Sequence, residues 1–251
     1  MRKIINFIFT IISKITFYRI KNYYILDYKP NYEEDGFATS HNAIKKNDNK
    51  FLNAYFEGFR TNSSYGKHLK WRIHIACKLS EYCMNLKGDF VELGTNRGFV
   101  ATSIIKYNNL NRKKNVFYLF DTFDGRITSM LTPVERKFKG IPKYQECYEF
   151  VKNQFRKYKN VRIVKGKLPH SLKQVDIKEI SFLHIDLNSS KSEIMSINVL
   201  WNKIVKGGII LLDDYCYSGY PDTKRTWDKF SLKKKISIIA LPTGQGLIIK
   251  N

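Results

Sequence analysis

Two apolar runs in the second half of the chain end in acid: SFLHIDLN closes on Asp186, and GGIILLDDY closes on Asp213 and Asp214. If these runs are neighbouring parallel strands, the three carboxylates converge at one end of a sheet. Such a cluster is costly unless protons, water or a cation neutralise it, and an all-oxygen set suits Mg²⁺ or a similarly hard divalent ion. The plainer expectation is that one Asp caps a following helix and another is solvated. His184 shares a face with Asp186 by strand alternation and reads as a buried, hydrogen-bonded residue in preference to a base.

A second place for chemistry is GDFVELGTNRGF, residues 88–99. Gly94 lets the backbone turn and approach a ligand without a Cβ, Gly98 permits close packing as a helix begins, and the N–H groups around Thr95 and Asn96 face whatever sits at that helix start. The spacing is GxxxG, so the GxGxxG dinucleotide fingerprint is absent. Glu92, just before the turn, places negative charge where a cationic ligand would sit and a pyrophosphate would not. Next, FYLFDTFDG puts Asp121 at a strand tip, followed by Thr122, and a carboxylate there can accept hydrogen bonds from ribose hydroxyls. Asp124 beside Gly125 reads as turn chemistry. In VRIVKGKLPHSL, Gly166 suits close approach of a flat base, and His170 reads as solvated surface.

The elements that must position these residues follow from periodicity. Residues 68–86, 98–110, 144–158, 193–206 and 223–230 read as helices. They alternate with apolar strands at 89–93, 115–120, 161–166, 181–186 and 207–214, and the chain closes on the hairpin ISIIALPTGQGLIIK. That rhythm predicts an α/β doubly wound, Rossmann-like sheet, mostly parallel, with one antiparallel strand from the hairpin at or near an edge. Ligands in such sheets sit beyond the carboxyl ends of the strands, where the residues named above lie. Residues 21–66 are polar, aromatic and irregular and suit an N-terminal cap or lid, leaving 67–251 as the main domain.

The N-terminal segment 1–20 reads as a basic amphipathic helix, too short to span a bilayer and without a signal-peptide cleavage site. It suits either peripheral contact with the inner face of a membrane or packing on the domain or a second subunit, as in a homo-oligomer. Across the chain, 44 Lys and Arg against 22 Asp and Glu give a formal charge of +22, which favours phosphate-bearing molecules or an anionic surface. The excess is spread through the sequence rather than gathered in one tail. Cys77, Cys83, Cys147 and Cys216 show no metal or redox spacing and read as reduced thiols of a cytoplasmic protein.

Taken together, VELGTNRG, FDTFDG, VKGKLPHSL, LHIDLN and GGIILLDDY occur in an order and spacing that resembles S-adenosylmethionine-dependent O-methyltransferases of the macrocin O-methyltransferase kind, over roughly residues 50–251. IDLNSSKSE, WNKIVKGGIILLDDYCYSGY and LPTGQGLIIK look like a branch found among bacterial polysaccharide and glycan biosynthesis enzymes. The resemblance implies the seven-stranded class I methyltransferase fold and S-adenosyl-L-methionine over the first strand ends, contacted by Glu92, Gly94, Thr95, Asn96, Gly98, Asp121, Thr122 and Gly166. It also implies Mg²⁺ held by Asp186, Asp213 and Asp214, with Asp186 as the catalytic base, and a sugar, nucleotide-sugar or lipid-linked glycan as acceptor. The sequence departs from that family's D-x-D-L-Y-x-S: Asn188 stands for the second acid and Ser190 for the tyrosine, with Ser192 kept. Ser190 and Glu193 then form a capping box for the next helix. No nucleic-acid substrate is expected, because IDLN is unlike the [DN]PP[YF] motif of amino-group methyltransferases. That class and a non-catalytic membrane-associated scaffold are the rival readings. The loops 21–66 and 125–143, with Arg126, Arg136, Lys137 and Lys139, are the places to meet an acceptor phosphate.

Overall fold

The computed structural model describes residues 3–5, 7, 8, 30–41, 44, 48–137 and 144–251. The chain divides into two compact units, Met1–Ala43 and Ile44–Asn251. In the first, β1 (Tyr32–Glu34) and β2 (Phe37–Thr39) form an antiparallel hairpin around Asp35 and Gly36, both at positive φ. The described residues among 3–8 are helical, and Ile4, Phe7 and Ile8 are exposed. The rest of the amphipathic segment expected at 1–20 lies outside the described residues. No helix among the described residues is long and apolar enough to cross a membrane.

The second unit is built on a seven-stranded sheet. Its strands in chain order are β3 (Asp89–Leu93), β4 (Phe117–Asp121), β5 (Val161–Lys165), β6 (Ile180–Ile185), β7 (Ile204–Leu212), β8 (Ile239–Ala240) and β9 (Gly246–Ile249), and they lie side by side as β5-β4-β3-β6-β7-β9-β8. The first five are parallel; β9 runs antiparallel to both β7 and β8. The expected doubly wound sheet with an antiparallel C-terminal strand is therefore present, and the hairpin inserts its last strand between β7 and the short edge strand β8. Helices α1 (Asn49–Phe59), α2 (Lys70–Cys83), α3 (Phe99–Asn108), α4 (Pro133–Lys137), α5 (Tyr148–Phe155), α6 (Ser190–Leu200) and α7 (Pro221–Lys234) complete the unit.

Strand alternation sorts the core onto the two faces of the sheet. Val91, Leu93, Leu183, Ile185, Ile210 and Leu212 pack with Trp227 and Phe230 of α7, whereas Phe90, Phe182, Ile209 and Leu211 pack with Ile104 and Ile105 of α3 and Ala76 of α2. Glu92 and His184 fall on the second face and are cross-strand partners in register, and His184 is in turn opposite Leu211. Period two then brings Asp213 to that same face one step beyond the strand.

Residues 49–59, expected to be irregular, form a helix. Asp48 caps it by accepting from the Phe51 N–H, and Phe51, Ala54, Tyr55 and Gly58 make a buried stripe against Phe99 and Tyr107 of α3. The crossing is tight: a Cβ on Gly58 would stand 2.1 Å from Ser103 Oγ and 2.7 Å from the Phe99 carbonyl oxygen. The helix belongs to the second unit.

Candidate active site

The turn after β3 is braced from both sides. Gly94, at φ 94°, passes so close to the end of β6 that a Cβ would lie 1.8 Å from the Asp186 carbonyl oxygen, and Gly98, at φ 85°, lies against the Phe155 ring, 2.7 Å from where its Cβ would be. The close packing expected at Gly98 is present, and at Gly94 the close neighbour is the Asp186 backbone. Asp121, at the tip of β4, accepts from the Asn96 N–H at 2.7 Å through Oδ2 and from the Phe123 N–H at 2.7 Å through Oδ1, with Thr122 Oγ1 donating to Oδ1 at 3.3 Å. Burial pushes this carboxyl up; those hydrogen bonds pull it back. The N–H groups around Thr95 and Asn96, expected to face a ligand at the helix start, are engaged within the protein. The N–H groups of Gly94 and Thr95 donate to the Phe120 carbonyl, that of Asn96 to Asp121, and that of Gly98 to the Thr95 carbonyl, because a turn this tight closes its own hydrogen bonds. Thr122 Oγ1 is spent on the Gly125 carbonyl at 2.6 Å. Gly166 reaches the turn through its N–H, which donates to the Asp121 carbonyl.

Glu92 is fully buried and bonded through Oε1 to His184 Nδ1 at 3.1 Å, while its Oε2 is enclosed without a hydrogen-bond partner. The Thr95 hydroxyl is near enough to lower its pKa but completes no hydrogen bond. An unsatisfied buried carboxylate oxygen beside a glycine turn is a place for a donor or a cation from outside the protein. The chain of contacts continues to the metal candidates: His184 Nε2 lies 3.5 Å from Asp213 Oδ1. Burial disfavours charge on His184, but Asp213 and Glu92 outweigh it and raise its pKa to about 10, so the ring is an imidazolium held between two carboxylates. The buried, hydrogen-bonded histidine expected at this position is what the fold contains.

Asp186, Asp213 and Asp214 come together with carboxylate oxygens all within 4.8 Å of one another. Their surroundings differ. Asp213 is held by Arg72 Nη1 at 2.5 Å, Gln245 Nε2 at 3.0 Å and His184, and against the effect of burial Arg72 and His184 keep its carboxyl well below the usual range. Arg72 also comes within 3.9 Å of Asp214 Oδ1. Asp186 accepts one hydrogen bond, 3.1 Å from Asn188 Nδ2, and burial followed by the neighbouring Asp213 and Asp214 carboxylates pushes it well above the usual range. A hard divalent ion fits this donor set, since Asp186 is a half-buried oxygen ligand with no ion pair among the described residues while Asp213 is fixed in place.

Several residues of the site were not legible from spacing. Arg72 sits on the buried face of α2, Thr243 and Gln245 in the PTGQG turn, and Tyr144 and Tyr220 beside Asp186 and Asp214; the signal for Arg72 was a basic residue on an otherwise apolar helical stripe. The capping-box expectation also changes. Ser189 is the N-cap of α6, the Ser190 N–H donates at 2.8 Å to Glu135 from α4, and Glu193 turns inward to accept from Trp227 Nε1 at 2.7 Å. Glu193 is drawn inward because Trp227 carries a buried N–H that needs an acceptor.

Comparison with known proteins agrees with this geometry. The family model for macrocin-O-methyltransferase (TylF) matches residues 76–240. Among solved structures, the O-methyltransferase NovP superposes with a TM-score of 0.61 at 21% identity over 72% of this chain and 79% of its own. CalS11, described as a TDP-rhamnose 3′-O-methyltransferase of calicheamicin biosynthesis, gives 0.54 at 14% identity over 71% and 78%. PaMTH1 from Podospora anserina, solved with SAH bound, gives 0.55 at 13% over 81% and 88%. At these identities the likeness shows the fold, and no curated protein sequence matches the chain significantly. The family match covers well over half of the sequence and includes Glu92, Asp121, Asp186, Asp213 and Asp214. The chain belongs to the macrocin-O-methyltransferase (TylF) family and is an S-adenosylmethionine-dependent O-methyltransferase.

Proposed function

We propose that the protein methylates a hydroxyl of a sugar, carried as a nucleotide sugar or a lipid-linked glycan, with the assistance of a divalent metal ion. The observation that carries the reading is the 4.8 Å convergence of Asp186, Asp213 and Asp214 at the strand ends next to the braced glycine turn. The structurally similar CalS11 is described as a TDP-rhamnose 3′-O-methyltransferase, and a sugar on a nucleotide suits a chain of formal charge +22.

When bound, S-adenosylmethionine supplies an electrophilic methyl group, and the divalent ion supplies stabilisation of developing negative charge on the acceptor oxygen. Glu92 would offer its unpartnered Oε2 to the donor's positive charge, and Asp121, which fixes the Asn96 turn, would keep lone pairs for ribose hydroxyls. Asp186, Asp213 and Asp214 would hold the ion. Asp186 Oδ1 accepts from Asn188, and Oδ2 would be the oxygen free to take the acceptor's proton. Arg72, His184 and Gln245 orient Asp213, so the site is preorganised before ligands arrive.

The test is transfer of labelled methyl from S-adenosylmethionine to a panel of nucleotide sugars and lipid-linked glycans, with Mg²⁺ and with chelator. Transfer to a sugar hydroxyl only when Mg²⁺ is present is the expected result; equal transfer in EDTA would remove the metal from the reading, and transfer to polynucleotide alone would replace the acceptor class.

A further inference from the structure

The loop after β4 carries a cation, Arg126, with one guanidinium nitrogen left without a hydrogen-bond partner. Arg126 is half-buried, and its Nη1 is enclosed with no hydrogen-bond acceptor; among the described residues it forms no ion pair either. An enclosed guanidinium nitrogen without an acceptor is costly, and folds seldom keep one that serves nothing. The other basic residues of this loop stand differently: Arg136 and Lys137 are exposed, and Lys139 lies outside the described residues.

The position of Arg126 is set by the site. Gly125, directly before it, backs onto Tyr144, whose Cβ would stand 3.4 Å from a Cβ at Gly125, and the Tyr144 hydroxyl lies 3.5 Å from Asn188 Nδ2, which also bonds Asp186. Tyr65 packs edge-on against Tyr144 with ring centroids 6.3 Å apart. Arg126, Asp186 and Asp214 all act electrostatically on Tyr144 and Tyr220, so the arginine and the carboxylate cluster share these two phenols as neighbours. Once those carboxylates are neutralised by a divalent ion, an unpaired guanidinium alongside calls for an anion between them.

Resting on the methyltransferase reading above, we propose that Arg126, with Tyr144 and Tyr220, forms an acceptor subsite that grips an oxyanionic group of the substrate, a phosphate or a sugar carboxylate, and so selects charged sugar acceptors over neutral ones. The planar guanidinium matches either group with two parallel N–H bonds, and the phenols present flat faces and hydroxyls to the attached sugar or base.

The experiment is calorimetric titration of the full chain, with Mg²⁺ and S-adenosylhomocysteine held constant, using TDP-glucose, glucuronate and methyl glucoside as probes. Wild type is expected to bind TDP-glucose or glucuronate and not methyl glucoside; the first names a phosphate as the anion, the second a carboxylate. Arg126→Gln should weaken that binding about tenfold or more, Arg126→Lys should recover part of it, and a change at the exposed Arg112, Arg112→Gln, should leave it unchanged. Binding of the charged probes within twofold in wild type and Arg126→Gln overturns the proposal, as does failure of wild type to bind either anion. S-Adenosylhomocysteine affinity, titrated separately, distinguishes the two levels: its retention in every variant keeps the methyltransferase reading whatever Arg126 does. Its absence from wild type, with Arg126-dependent TDP-glucose binding intact, contradicts that reading and supports the anion subsite.

Discussion

Arg72 and Asp213, from a helix and a strand end 141 positions apart, are joined by a 2.5 Å ion pair, and the same guanidinium donates to the Asp213 carbonyl and, through Nη2, to the Thr243 carbonyl, each at 2.9 Å. One buried arginine therefore ties α2, the end of β7 and the C-terminal hairpin turn into a single frame, and it fixes the aspartate whose partners on the other side are His184 and Gln245.

Removing that arginine leaves Asp213 buried without its strongest partner. Arg72→Met is expected to destabilise the fold by about 3–5 kcal/mol in urea unfolding. Arg72→Lys should recover only part of this, because one ammonium cannot reach the carboxylate and two carbonyls in the same planar arrangement. A loss below about 1 kcal/mol in Arg72→Met would show that the pair is not a structural tie.

Glu193 gives a pH dependence with a definite sign. Burial raises its carboxyl from 4.5 to about 8, with Asp214 and Glu135 adding to the rise and the Trp227 N–H and the Leu187 backbone opposing it. The folded state thus binds a proton that the unfolded state releases, so its contribution is full below about pH 4.5 and is lost as pH rises through about 8. Glu193→Gln keeps a carbonyl oxygen for Trp227 and cannot ionise. Unfolding curves at pH 5 and pH 8.5 should show the variant gaining stability over wild type at the higher pH, each unit of pKa shift corresponding to about 1.4 kcal/mol. A difference between the two proteins that does not change with pH would contradict this.

At Gly94 the expected failure is local and functional. A Cβ there would meet the Asp186 carbonyl oxygen at 1.8 Å, in a backbone conformation that itself costs about 1–3 kcal/mol for other residues. Gly94→Ala should lower the thermal midpoint and abolish the upward shift that S-adenosylhomocysteine gives the wild type. An undiminished ligand shift would separate this turn from the cofactor.

Asp186→Asn separates binding from chemistry. S-Adenosylhomocysteine affinity should stay within about threefold of wild type, since the cofactor turn does not use the Asp186 side chain, while turnover falls by about a hundredfold or more, the scale of a lost general base. Equal loss of both would place Asp186 in the cofactor pocket instead.

How much of this was legible in the sequence depended on the range of the interaction involved. Period-two alternation and the turn chemistry of Gly94 and Gly98 are local, so the sheet, its antiparallel hairpin and the convergence of the three aspartates could be anticipated. Pairings across the fold could not. Nothing in KWRIHIACK says that Arg72 meets Asp213, and the PTGQG turn, read as a tight hairpin connection, also sends Gln245 into the site. Glu193 looked like half of a capping box because its spacing from Ser190 is right, yet a tryptophan 34 residues away claims it and Glu135 takes over at the helix start. The helix at 49–59 was hidden for a different reason: its buried stripe relies on Gly58 and on aromatic residues, which by composition resemble a loop until the close crossing with α3 is known.

The most direct test of the central claim is a crystal structure with S-adenosylhomocysteine and Mn²⁺, recorded near the manganese absorption edge. The account predicts one anomalous peak at bonding distance from carboxylate oxygens of Asp186, Asp213 and Asp214, with the cofactor sulfur facing it across the Glu92–Gly94 turn. A peak elsewhere, or none while Arg72 and His184 alone neutralise the aspartates, would contradict it.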